Sequence, residues 1–387
     1  MVDATGGTER SALEIARIQT RRGHDVTVAS KGDEAWEGSW QGVRLLHLKP
    51  YSWIKSLSFG KVTGPHLPLL ALIHGGRFDI VHLHEHLNTK FFGGRPRVMH
   101  FHNDPLADRS AADFAAAAPG YWARVSASGA QIAVSEFVVG RLNMAHEQAG
   151  VDAPPANIVK LSGGVNADAL APAKRKEARD RIRKSLGLKE SDVLFLFAGA
   201  LRPEKGVDYL ARAFAKLSEE YPSACLAIAG GTKLWIEKGW LGGKALEDTE
   251  KHVRDILAPA IARKRAFMLG IVPPLEIDGY YSASDVFVLP SMFQETFGLV
   301  LLEAFAAGLP ALTFKSGGIP ELVETGKNGI VVPQGDENAL CQGMRELLQS
   351  PDMRDRFGLA GKNVAAKYSW ENTVDRLEAI YAGVMRR

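Results

Sequence analysis

Apolar positions in this chain follow two rhythms. Short, nearly unbroken apolar runs recur at 25–30, 43–48, 79–84, 97–101, 131–135 and 157–161, and again at 193–199, 224–231, 266–270, 285–290 and 310–314. Longer segments with helical spacing separate them. Strands that are apolar on both faces belong in parallel sheets covered by helices on both sides. The series breaks once, at 165–190, where "VNADALAPAKRKEARDRIRKSLGLKE" is polar and charged and reads as a linker followed by an amphipathic helix. The pattern therefore predicts an α/β protein of two domains, residues 1–165 and 166–370. A C-terminal helix over about 371–387 is expected to pack back on the first domain. In open parallel sheets, ligands sit beyond the carboxyl ends of the strands. Two such domains facing one another would form a cleft.

The opening of the chain breaks the rule. "GGTER" (6–10) reads as a tight turn entering a helix that runs to Arg22 and stops at Gly23. Such a turn should follow a strand, yet "MVDAT" is too short and polar to be one. We expect a natural form of the protein to carry a further strand-forming segment upstream.

Composition narrows the function classes. The 387 residues are 46% hydrophobic with a net charge of +3, a balance that gives no argument for a nucleic-acid partner. Cys225 and Cys341 stand far apart, without the spacing of a zinc cluster or disulfide framework, which fits a reducing, cytoplasmic setting. The longest aliphatic run, "LPLLALI" (67–73), is far short of a membrane span.

The chemistry concentrates at 294–303, "QETFGLVLLE". The run 285–290 ends in Pro290, "MFQETFG" is loop, and "LVLLEAFAA" is a strong helix former stopped by Gly308 and Pro310. The helix should begin near Gly298, so the N–H groups of Phe297, Gly298 and Leu299 face the loop as an anion site. Glu295 stands just before them, within reach of a polar, non-phosphate part of a ligand. Glu303 stands a little over one turn further on, where its two oxygens could accept a ribose hydroxyl pair. An isolated pair of glutamates so placed is ordinarily a cap and a solvated helix residue. The flanking sequence points elsewhere.

"SMFQETFGLVLLEAFAAGLPAL" (291–312) resembles the E-x7-E signature of retaining glycosyltransferase family 4, whose fold is GT-B: two Rossmann-like domains with parallel sheets facing a central cleft. "GGIPELVETGKNGIVVPQGD" (317–336) resembles the segment that follows it in that family. "FAGALRPEKGVDYLARAF" (197–214) resembles its phosphate-binding turn, and "GGTERSALEIARIQTRRGHDVTV" (6–28) its opening glycine loop and helix. "DIVHLHEH" and "VMHFHN" resemble strands of its first domain. The ordered set covers nearly the whole chain.

The resemblance implies a metal-independent, retaining transfer of a sugar from a nucleotide diphosphate sugar, with a UDP-sugar as the expected donor and no further cofactor. The second domain would hold the donor and the first the acceptor. Lys205, before Gly206 at a helix start, is unfavourable for the helix dipole unless an anion is bound there. It would stabilise the departing diphosphate. Family members usually carry arginine directly after the glycine; this chain has Ala200, and Arg202 two residues later is the candidate to replace it. Glu295 would orient the donor sugar, and His102, in "HFHND", matches the family histidine that faces it. Gly6 and Gly7 would allow close approach of backbone to donor. Val272, in the turn after "AFMLG", would meet the base through main chain. No residue has the setting of a covalent nucleophile, and the resemblance implies same-face attack, with a donor phosphate oxygen helping to remove the acceptor proton. His82, His84 and His86 alternate and would share one strand face, but the family is similar there without using a metal. No D-x-D anchor occurs in the chain.

Residues 40–100 carry eight Lys/Arg against two Asp/Glu. They include "YSWIKSLSFGKV" (51–62), where Trp53, Ile54, Leu57 and Phe59 mix with Lys55 and Lys61. That is the composition of an interfacial segment, which suggests peripheral membrane contact and a lipid-linked acceptor, or else an ordinary surface loop. A glycan, polysaccharide or small-molecule acceptor stays open. A sugar-nucleotide epimerase of the same fold and a non-catalytic nucleotide-sugar-binding protein also stay open. A dinucleotide oxidoreductase does not fit, because no G-x-G-x-x-G follows a strand.

Overall fold

The computed structural model describes residues 6–31, 35–48, 78–84, 96–107, 122, 125–150, 158–166, 172–231 and 243–386. The segment 51–62, His86 and residues 1–5 lie outside them. The chain divides into two compact units. Unit 1 comprises Met1–Gly163 with Trp370–Arg387, and unit 2 comprises Gly164–Ser369.

Unit 2 carries one parallel sheet of six strands: β8 (Val193–Ala198), β9 (Ala224–Ala229), β10 (Ala266–Gly270), β11 (Val286–Leu289), β12 (Ala311–Phe314) and β13 (Gly329–Val332). Their spatial order is β10-β9-β8-β11-β12-β13. Both β8 and β9 are buried along their whole length, which explains their unbroken apolar sequence. The chain winds outward from β8 in one direction and from β11 in the other, so the topological switch point falls between these two neighbours. Helices Val207–Glu220 and Glu337–Gln349 place Leu210, Phe214, Leu217, Leu340, Met344 and Leu347 into the core on one face of the sheet.

The polar stretch near 165–190 becomes the helix Pro172–Ser185, and its arginines explain how so charged a helix joins the fold. Arg175 donates to the carbonyl of Ala306, at the end of helix Leu299–Ala307. Arg179 donates to the carbonyls of Ser282, Ala283 and Ser284, at the end of helix Pro274–Ala283. Residues four apart share one helix face, and cations suit the carbonyl ends of helices. Arg179 and Arg183 also pair with Asp285 at 2.7 and 3.1 Å, just before β11.

The described residues of unit 1 form two sheets. One has the order β1-β3-β2, from Thr27–Lys31, Val43–Leu48 and Trp36–Trp40. The other is parallel, β4-β5-β6-β7, from Val81–His84, Arg97–Phe101, Ala130–Ala133 and Ile158–Lys160. Strand β2 is absent from the sequence reading and runs antiparallel to β3. Its sequence, "WEGSW", lacks an apolar run. The signal was in the turn: Gln41 and Gly42 both have positive φ, at 49° and 86°, as a tight two-residue hairpin requires. The C-terminal helix Trp370–Met385 packs on unit 1. There Trp370, Val374, Leu377, Tyr381 and Val384 meet Ile15 and Ile18 of helix Gly7–Arg21, together with Val98 and Ile132. Arg22 pairs with Asp375 at 2.7 Å and with Glu378 at 2.8 Å across the two helices.

Candidate active site

At the switch point of unit 2, two loops leave adjacent strands. From β8 the chain runs through Gly199, Ala200 and Arg202 into a short 3-10 turn, Pro203–Lys205, and then through Gly206 into helix Val207–Glu220. From β11 it runs through Pro290–Phe297 and Gly298 into helix Leu299–Ala307. Gly298 has φ +95° and caps that helix with no side-chain cap, leaving the start of the helix to a ligand or solvent.

The two loops meet through charge. Lys205 Nζ donates to Glu295 Oε1 at 2.9 Å and lies 4.3 Å above the centre of the Phe293 ring. Glu295 is 8% exposed, and the Ser291 hydroxyl donates to the same Oε1 at 2.6 Å. Its backbone is pinned by the loop after β12. The Glu295 N–H donates to Ser316 Oγ at 3.1 Å, and Gly318 N–H donates to the Glu295 carbonyl at 2.7 Å. Ser316 in turn donates to the Phe293 carbonyl, and Gly317 N–H donates to Gln294 Oε1. The carboxylate is thus held in a fixed place while Lys205 retains exposed surface. Glu303 is half-buried, and Tyr281 Oη donates to its Oε2 at 2.9 Å.

The remaining expected residues fall as follows. Arg202 is ion-paired with Glu204, within its own loop. Phe297 is a core residue whose ring packs on Tyr368, so any ligand contact it makes is through its main chain. Leu299 opens the helix, and Val272 sits in the turn after β10. Gly6 caps helix Gly7–Arg21 with extended backbone, φ −112° and ψ 162°, a conformation open to any residue. Glycine is therefore not required there by the backbone. Ser291, Ser316 and Tyr281 are polar partners that sequence reading missed.

In unit 1, His102 follows β5 and is buried. Its neighbour Asp104 is structural: it accepts from Arg141 Nε at 2.8 Å and from Leu106 N–H at 2.9 Å. His82 and His84 do share a face of β4, but their partners lie on β5 and just after it. His82 Nε2 lies 3.2 Å from His100 Nδ1, and His84 Nδ1 lies 2.8 Å from His102 Nε2. Tyr381 Oη lies 2.6 Å from His82 Nδ1. His82, His84 and His100 could each aim one nitrogen at a common point, with those atoms within 4.8 Å of one another. Burial pushes all four imidazoles down, His84 to about 4 and the others well below the ordinary histidine value.

Glycine is demanded at Gly206. Its φ is +66°, and a Cβ there would lie 1.8 Å from the Pro290 carbonyl oxygen, joining the two loops that carry Lys205 and Glu295. Gly326 has φ +82° with nothing within 4 Å of its would-be Cβ. Gly206→Ala is expected to destabilise unit 2 by about 3–5 kcal/mol, combining left-handed strain with overpacking. Gly326→Ala carries the strain alone, about 1 kcal/mol. Equal losses in urea melts of the two variants would show that the contact with Pro290 relaxes freely.

These features define a two-unit α/β protein with a paired lysine and glutamate at the switch point of a doubly wound sheet. Comparison with known proteins agrees. The family model described as "Glycosyltransferase Family 4" matches residues 5–168, and "Glycosyl transferases group 1" matches residues 178–364. The chain belongs to the family-4 glycosyltransferases, with the GT-B fold. A D-inositol 3-phosphate glycosyltransferase of Corynebacterium jeikeium is 32% identical over 234 residues, 60% of this chain and 53% of that protein. The chain thus matches about half the length of such relatives. The uncharacterized glycosyltransferase MJ1607 of Methanocaldococcus jannaschii is 26% identical over 97% of this chain and 94% of its own. The crystal structure of Anabaena Alr3699/HepE in complex with UDP and glucose superposes with a TM-score of 0.73 at 20% identity, over 97% of this chain and 95% of that one.

Proposed function

We propose that this protein is a hexosyltransferase that moves a sugar from a nucleotide diphosphate sugar, with a UDP-sugar as the expected donor, to a glycan, lipid-linked or small-molecule acceptor. The transfer retains anomeric configuration and uses no metal. Unit 2 holds the donor and unit 1 the acceptor. The observation that carries this reading is the Lys205–Glu295 pair beside the uncapped helix start at Gly298. A cation and backbone N–H groups suit a diphosphate, and an adjacent fixed carboxylate suits sugar hydroxyls. The UDP and glucose bound by the Anabaena neighbour support the donor class.

In this reading Lys205 and the N–H groups of Phe297, Gly298 and Leu299 stabilise the charge that grows on the leaving diphosphate. On binding, Lys205 exchanges part of its contact with Glu295 for the diphosphate. Glu295 then orients the sugar, and Glu303 takes the ribose. Val272 meets the base through main chain. Arg202 leaves Glu204 to supply the cation absent at Ala200. Gly6, Gly7 and His102 are the further donor-binding residues that the family resemblance implies. No helix among the described residues is long and apolar enough to cross a membrane. A cytoplasmic protein touching a membrane surface through 51–62 is the setting proposed.

Thermal shift with a panel of UDP-, GDP- and ADP-sugars, followed by turnover assays, tests the reading. A shift with UDP-sugars and release of UDP in the presence of acceptor is expected. Binding without turnover on any acceptor would make the chain a nucleotide-sugar-binding protein. Glu303 gives the sharper prediction. Its oxygens are placed by Tyr281, and hydrogen bonds to a charged group contribute about 1.5–3 kcal/mol. Glu303→Ala should therefore weaken UDP itself by roughly tenfold or more in calorimetry. Unchanged UDP affinity would remove Glu303 from the ribose.

A further inference from the structure

We propose that Ser291 is a positioning residue for Glu295: its hydroxyl holds the carboxylate by Oε1, so that Oε2 meets the donor sugar when Lys205 turns to the diphosphate. The proposal rests on the assignment of Glu295 to the sugar and of Lys205 to the diphosphate. Oε1 carries both hydrogen bonds that described residues make to this carboxylate, from Lys205 Nζ at 2.9 Å and from the Ser291 hydroxyl at 2.6 Å. Oε2 accepts none among the described residues, and the Glu295 side chain keeps some exposed surface. Chemistry fixes the direction of the serine bond. An ionised carboxylate only accepts, so the hydroxyl donates. Its length of 2.6 Å is that of an O–H···O⁻ bond, the strong class in which the acceptor is charged.

A bound donor acts differently on the two bonds. Lys205 keeps exposed surface, and a diphosphate competes for its ammonium, so its bond to Glu295 weakens as the donor binds. Ser291 is fully buried and meets no such competitor. Its backbone is tied on both sides. The preceding carbonyl, of Pro290, lies against Gly206, where a Cβ would come within 1.8 Å of the oxygen. Gln334 Nε2, from the loop after β13, donates to the Ser291 carbonyl at 3.0 Å. The next N–H, of Met292, donates to the Glu204 carbonyl at 2.8 Å. Three segments therefore fix the point from which the hydroxyl projects. Ser316 holds the other end of Glu295: it accepts from the Glu295 N–H at 3.1 Å and donates to the Phe293 carbonyl. The glutamate is thus held at its peptide by Ser316 and at its carboxylate by Ser291, and only the contact with Lys205 is given up on binding. A carboxylate ordered during folding meets the sugar without a further loss of rotamer freedom.

The test begins with crystal structures of the whole protein without ligand. Lys205→Met removes the ammonium and keeps the stem. In this variant the Glu295 carboxylate should stay within about 0.5 Å of its wild-type place. With Ser291→Ala added, it should leave that place. This comparison needs no donor, so its failure is separable from failure of the proposed function. Calorimetry with UDP and with UDP-glucose reads the consequence. Ser291→Ala should keep UDP affinity within about twofold and weaken UDP-glucose by about tenfold, the scale of one hydrogen bond to a charged group. Ser291→Cys, which keeps the shape with a weaker donor, should fall between the two. An equal loss for UDP and UDP-glucose would mean that the serine only supports the loop, and would overturn the proposal. So would a carboxylate that moves in Lys205→Met while Ser291 is intact, or one that stays in place in the double variant.

Discussion

Lys205→Ala is expected to lower kcat by about 10²-fold at saturating donor, the scale of removing one preorganised group from developing charge. The lysine is positioned by backbone rather than by chance. The 3-10 turn Pro203–Lys205 ends at Gly206 in the left-handed region, and the N–H of Met292 donates to the Glu204 carbonyl at 2.8 Å, tying this turn to the loop that carries Glu295. Two effects compete in the variant. Loss of the ion pair removes a partner from a buried carboxylate, which destabilises the fold. The Ser291 hydroxyl still donates to Glu295 Oε1 and limits that cost. In the proposed mechanism the lost cation acts most strongly as charge grows on the departing diphosphate. The fall should therefore appear in kcat with little change in the unfolding midpoint. Arg202→Ala, measured alongside, asks whether Arg202 stands in for the arginine absent at Ala200, and a drop of similar size would say that it does. Near-wild-type turnover in Lys205→Ala would exclude the lysine from leaving-group stabilisation.

The parts of this site that sequence revealed are those carried by single segments. The boundary between loop and helix at Gly298 followed from Pro290, the apolar run 299–307 and Gly308, all local. The spacing of Glu295 and Glu303 was likewise local. Their partners were not. Ser316 arrives from the loop after β12 and Tyr281 from the helix before β11, and nothing in the sequence of either segment announces a carboxylate nearby. Ser291 is only four residues from Glu295, but its hydroxyl direction depends on the turn between them. The histidines teach the same lesson more sharply. Alternation along β4 correctly placed His82 and His84 on one face. Period 2 says nothing about which strand lies alongside, and His86, which the same alternation groups with them, lies outside the described residues. Their hydrogen-bonding neighbours, His100 on β5 and His102 just after it, are reached across the sheet. Strand β2 escaped for a different reason. A five-residue strand with two tryptophans and no apolar run forms because Gln41-Gly42 folds it back on β3, so the turn decides what the strand residues alone do not.

Unit 1 is expected to lose stability steeply between pH 6.5 and pH 5, while unit 2 does not. Burial depresses His82, His84, His100 and His102 in the folded state, and in an unfolded chain they titrate near 6.5. Below that pH the unfolded state binds more protons than the folded one, so the stability present at neutral pH is lost as the pH falls. For His84, with a folded value of about 4, the loss reaches about 2 kcal/mol at pH 5 and about 3 kcal/mol at still lower pH. His84 keeps some exposed surface, which makes these figures ceilings, and the four losses do not add simply because the rings are coupled. The groups packed around the four imidazoles do not reverse the sign. Tyr381 is raised by burial and stays a neutral phenol, while the nearby Glu378 carboxylate is occupied by Arg22. His146, also in unit 1, is depressed by burial and adds in the same direction. Unit 2 has one histidine, His252, against ten in unit 1, and ordinary carboxylates titrate below the window. Hydrogen exchange separates the units within one sample. Protection at Val98 and Met99 of β5 should fall several-fold or more from pH 7 to pH 5, while protection at Leu194 and Phe195 of β8 holds. Parallel loss in the two sheets, after correction for intrinsic exchange, would mean that the pH effect does not arise from the histidines of unit 1.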